Sequence, residues 1–143
     1  MRTLTIAVPA LPPNLNKASR NWYAEHKRLK DFAELVRLCA LSAKNEWECR
    51  PGATWTPLER ASIEVQYVIP RSQRGPVPDS HNLTGALKKA IDRLTARPRG
   101  HGDDADVGVG IIQDDGDGLT WLAVPLVRRG AEEQTIITIT ERE

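Results

Sequence analysis

Hydrophobic and polar positions change period along the chain, and each change marks an element. Residues 3–8 alternate polar and apolar, which predicts a strand. Leu11-Pro12-Pro13-Asn14-Leu15-Asn16 ends it, because proline cannot continue a ladder. From Trp22 to Trp47 the period is helical. Trp22, Leu29, Phe32, Ala33, Val36, Cys39, Ala40 and Ala43 form one apolar stripe, and Lys27, Lys30, Glu34, Arg37 and Lys44 populate the other side. Residues 48–58 carry Pro51, Gly52 and Pro57 and read as a linker, within which Trp55 either packs over the core or faces a partner.

Alternation returns over Ala61–Ile69, with Ile63, Val65, Tyr67 and Ile69 on one side, until Pro70 stops it. A loop rich in proline, glycine and arginine follows. Leu83, Ala86, Leu87, Ala90, Ile91 and Leu94 then recur at spacings of three and four and predict a second helix. Thr95 to Gly110 reads as loop. Leu119 to Val127 reads as a strand broken late by Pro125, Arg128-Arg129-Gly130 as a turn, and Gln134 to Thr140 as a closing strand. The order β-α-β-α-β-β predicts one α/β (α+β) domain over residues 1–143, a small mixed sheet with two main helices packed on it.

The second helix has a polar face worth following. At about 100° per residue, Lys88 and Asp92 each fall within roughly 20° of His81, nearly opposite the apolar stripe. Asp92 stands about 16 Å along the axis from His81, so the two cannot share an ion, and Asp92 suits an ion pair with Lys88 one turn away. Lys88 starts about 10 Å from His81, but helical side chains lean toward the N-terminus, and its ammonium can approach a phosphate held at the helix start. Pro78-Asp79-Ser80-His81-Asn82 opens the helix. Asp79 alone reads first as an N-cap. A second acidic stretch, Gln113-Asp114-Asp115, shifts that reading toward a divalent-cation site, since such an ion takes ligands from more than one segment.

Composition narrows the partners. The chain has 143 residues, 40% hydrophobic and 27% charged, with a formal net charge of +1, so total charge does not announce nucleic acid. Distribution says more. Arg71, Arg74, Lys88, Lys89, Arg93, Arg97 and Arg99 dominate residues 71–99, whereas Asp103, Asp104, Asp106, Asp114, Asp115 and Asp117 stand without a lysine or arginine over residues 101–118. Basic segments beside an acidic one suit a protein holding a phosphate backbone and a metal together, although each run alone also reads as solvated surface. Asn14, Asn16, Lys17 and Arg20 in the early polar loop, and Lys27 at the start of the long helix, are further candidate phosphate contacts, with turn formation an equal reading for the asparagines. Cys39 and Cys49 form no metal spacing or disulfide framework. With no signal-like N-terminus and no apolar run of spanning length, a cytoplasmic protein without membrane contact is expected.

Taken in order, these motifs resemble the RusA-like Holliday junction resolvases, small phage and bacterial endonucleases. The resemblance rests on Pro12-Pro13-Asn14-Leu15-Asn16, on Asp79-Ser80-His81-Asn82-Leu83 with Lys88 and Asp92-Arg93-Leu94, and on Gly110-Ile111-Ile112-Gln113-Asp114-Asp115. Each motif alone is weak. The ordered set covers nearly the whole chain. It implies a homodimer that nicks branched DNA, a four-way junction above all, using Mg²⁺ or Mn²⁺. It also implies Asp79, His81 and Asp115 as ligands, with His81 where the family has an aspartate, and Lys88 as the assisting lysine. Lys89 rivals Lys88, Asp114 and Asp92 are secondary candidates, and Asp103-Asp104 rivals Asp114-Asp115. Arg71 and Arg74 join the expected DNA contacts. A domain that binds junctions but has lost cleavage is the alternative.

Overall fold

The computed structural model describes residues 1–13, 22–74, 80–96, 108–114 and 120–143, and leaves the side chains of 22, 80–84 and 86 undescribed. Five strands and two helices are present among these residues: β1 (Thr3–Val8), α1 (Trp22–Glu48), β2 (Ala61–Pro70), α2 (Ser80–Asp92), β3 (Thr120–Leu122), β4 (Leu126–Gly130) and β5 (Gln134–Glu141). The sheet is mixed. β5 lies antiparallel between β1 and β2, and β3 and β4 both run parallel to β2 along its other side.

Strict alternation in β1 and β5 turns one face of the sheet to the core. Leu4, Ile6 and Val8 of β1, Ile137 and Ile139 of β5, and Ala61, Ile63, Val65, Tyr67 and Ile69 of β2 are buried. Against them pack Phe32, Ala33, Val36 and Ala40 of α1, Leu87, Ala90 and Ile91 of α2, and Leu94 just past its end. These are the stripes expected from the 3.6-residue period. Cys39 is half-buried at the edge of the same core. The opposite face carries Thr3, Thr5, Glu64, Gln66 and Thr138, the polar half of the alternation.

The region after residue 119 departs from expectation. It forms two short strands rather than one, and Arg128, Arg129 and Gly130 belong to β4 rather than to a turn. The register explains the break. Ile63 pairs with Leu122 and Gln66 with Leu126, so the edge strand carries one residue more than β2 over this interval. Such an insertion is a bulge, and it inverts the alternation beyond it. Pro125, which has no N–H to give, sits inside the bulge, where a ladder bond is absent anyway.

The turn lies instead at 131–133, and it has an unusual task. β4 is on one side of β2 and β5 on the other, so three residues must cross the end of β2. The crossing is tight. Arg71 N–H donates to the Gly130 carbonyl at 2.8 Å, and a Cβ at Gly130 would lie 2.5 Å from Cγ1 of buried Val68. Glycine is therefore required for approach. Gly130→Ala should destabilise the fold by about 1–3 kcal/mol through overpacking against Val68. Urea unfolding checks this, and an unchanged midpoint would show that the crossing has slack.

Candidate functional site

Two segments were expected to supply acids, and each leaves a different end of the β2–α2 unit. The first follows Pro70, where exposed Arg71 and Arg74 lead toward Asp79. Asp79 itself lies outside the described residues. α2 begins at Ser80 and places His81 in its first turn, with the imidazole undescribed. Farther along, Lys88 is exposed, whereas Lys89 and Asp92 are half-buried, so Lys88 is the lysine on the open face. Leu87, Ala90 and Ile91 beneath it are in the core.

The second segment is held by a dense set of main-chain bonds. Val109 N–H donates to Arg93 O at 2.9 Å, and Ile111 and Ile112 N–H donate to Leu94 O at 2.9 and 3.1 Å. Ala96 N–H donates back to Ile112 O at 2.8 Å. On the other side Leu58 N–H donates to Ile111 O at 3.0 Å, and Gln113 N–H to Leu58 O at 2.8 Å. Residue 112 thus bridges both Leu58 and Thr95 in parallel sense. Ile111 and Ile112 are fully buried, which is why this apolar pair can serve as an anchor. Gly110 supplies the positive φ of 76° that the entry to this anchor requires.

Two side chains reinforce it. The Trp55 indole N–H donates to Ile111 O at 3.1 Å, and Lys44 Nζ donates to Val109 O at 3.2 Å. Trp55 is 4% exposed and meets Trp47 edge-on at 5.0 Å, with Arg2 stacked 5.1 Å over its ring. The linker tryptophan therefore packs over the core, resolving the choice left open by the sequence. Arg2 also pairs with Glu141 at 3.2 Å, and the donated hydrogen bonds hold the Glu141 carboxyl below the usual carboxylate range.

Asp114 comes directly after this anchor, half-buried, with its carbonyl accepting the Thr120 hydroxyl at 2.7 Å. Asp115 and the rival pair Asp103-Asp104 lie outside the described residues. The anchor is bonded to the C-terminal end of α2, whereas His81 is at its start, about 16 Å away along the axis.

Of the expected DNA contacts, Lys27, Arg71 and Arg74 are exposed, and Asn14, Asn16, Lys17 and Arg20 lie outside the described residues. A further group lies outside the contacts expected from the sequence. Trp121 is 42% exposed with the Arg142 guanidinium 5.5 Å over its ring; Arg60 just before β2 and Arg128 farther along β4 are also exposed. The broken alternation at Pro125 was the available signal. Among the described residues, no helix is long and apolar enough to cross a membrane. The chain matches no protein-family model and no curated protein.

Trp55→Phe keeps a six-membered ring but removes the indole donor and leaves a small cavity beside Trp47. Ile111 O retains the bond from Leu58, so bond and cavity together should cost about 1–3 kcal/mol. Chemical denaturation reads it, and a loss above about 4 kcal/mol would show that the anchor depends on Trp55 more than its remaining main-chain bonds allow.

Proposed function

We propose that the protein is a metal-dependent endodeoxyribonuclease that acts as a homodimer on branched DNA, in the manner of the RusA-like resolvases. The observation that carries this reading is the anchoring of Ile111–Gln113 directly before the acidic pair, with Lys88 open on the polar face of α2. Asp79, His81 and Asp115 form the proposed ligand set, and Asp114 is available beside them. Two carboxylates and an imidazole fit a divalent cation of the Mg²⁺/Mn²⁺ class, and the imidazole favours Mn²⁺. When bound, such an ion polarises a phosphoryl oxygen and acidifies a water.

The chain's own residues do the rest. Lys88 brings a positive charge to the phosphoryl oxygens as negative charge gathers on them. Lys27, Arg71 and Arg74 hold neighbouring phosphates and set the strand's register without reading bases. Water oxygen joins phosphorus, one ester P–O bond breaks, and the departing alkoxide takes a proton. Two sites related by a two-fold axis match the symmetry of a four-way junction. A second reading follows from His81 itself: an imidazole in place of a carboxylate leaves a weaker Mg²⁺ site, and the protein then binds junctions without cutting them.

A labelled four-way junction separates the readings. With Mg²⁺ or Mn²⁺ the wild type should nick it. Asp79→Asn and Asp115→Asn should each abolish nicking and leave salt-sensitive junction binding in place. Normal cutting by both variants would remove the site from these residues, and binding without nicking in either metal would favour the second reading. His81→Asp should keep or raise Mg²⁺-supported nicking, whereas a large loss would give the imidazole another role.

A further inference from the structure

The edge formed by β3 and β4 is apolar and open. Trp121 and Leu122 are 42% and 43% exposed, Val124 75% and Leu126 63%. Proteins ordinarily cover such an edge or place charge on it. The bulge has a specific effect here. Trp121 pairs with Ser62 and Leu126 with Gln66, both on the side of β2 away from the core, so the extra residue puts Trp121 and Leu126 on the same face. An unbroken strand would set residues five apart on opposite faces.

Charge brackets this strip. At one end Arg142 stacks on Trp121, and its main-chain N–H donates to the Arg60 carbonyl at 2.9 Å, keeping two exposed arginines together on a surface they share with Glu59, Glu141 and Glu143. At the other end Arg128 is exposed, its guanidinium donating to Gln66 Oε1 at 3.1 Å. Residues 120–130 contain no acid. Between the ends lies a groove of about 340 Å³ lined by Glu64, Val124, Leu126, Ile136 and Thr138. Glu64 is the carboxylate in that floor. It suits the amino edge of a base rather than a phosphate.

We propose that the β3–β4 edge binds an unpaired stretch of nucleic-acid strand, with bases on Trp121 and the Val124–Leu126 groove and phosphates at Arg142 and Arg128. From Trp121 to Arg128 the strip runs about 20 Å, room for several unstacked nucleotides. Aromatic stacking with flanking cations is the usual chemistry of single-strand binding. Thr120 joins this surface to the acidic segment through its bond to the Asp114 carbonyl. The inference rests on the proposed nuclease reading only for the identity of the whole substrate, a branched DNA with an opened strand at the branch.

The test is fluorescence anisotropy of a labelled oligodeoxycytidylate with the full chain in EDTA, where no cleavage is needed. Trp121→Ala should weaken binding about tenfold and Trp121→Phe should restore most of it. Leu126→Ser should also weaken it, and blunt duplex should bind all these proteins alike. Unchanged binding of the oligonucleotide by Trp121→Ala and Leu126→Ser would overturn the proposal. So would sedimentation showing a wild-type dimer that Leu126→Arg splits while oligonucleotide binding persists, since the strip would then face a second copy. Loss of binding in the variants together with an inactive wild type would sustain this surface and remove the nuclease.

Discussion

The structure depends on β2 being hydrogen-bonded along both edges, antiparallel to β5 on one side and parallel to β3 and β4 on the other. The helices cover one face of this strand, where Ala61, Ile63, Val65, Tyr67 and Ile69 are at 3% exposure or less. The parallel partners impose a long return, because a parallel neighbour cannot be reached by a hairpin. That return is α2 and the segment ending at Asp114. The need to cross from β2 to β3 thus generates the helix bearing Lys88 and the anchored stretch before the acidic pair.

Enclosure also explains the two awkward points of the fold. Gly130 carries the chain across the end of β2 because a side chain there meets Val68. The bulge before Leu126 bends the outer strand where Pro125 cannot bond. Each lies on the side of β2 where the partners are short and parallel. The antiparallel side, from Thr3↔Thr140 to Val8↔Thr135 and along β2, is regular throughout.

This asymmetry accounts for what could be read from the chain. β1, β2 and β5 have one buried face each, and their alternation gave bounds close to those observed. α1 and α2 show single apolar stripes and were equally clear. The outer strand was misread because an inserted residue inverts its period, so Arg128 and Arg129 looked like a turn when they continue the ladder. Trp121 and Leu126 went unnoticed for the same reason, since their common face exists only through the bulge. For the site, the polar face of α2 with Lys88 was legible from helical spacing. The anchor at Leu58, Leu94 and Ile112 was not, because main-chain bonds between distant segments leave no side-chain pattern.

The proposed function stands or falls on whether Asp79, His81 and Asp115 share one divalent cation. A crystal soaked in Mn²⁺ measures this directly through anomalous scattering. The account predicts a peak bounded by Asp79, the His81 imidazole and Asp115, within reach of Lys88. A peak held by Asp103 and Asp104, or no peak between the two segments, would contradict it.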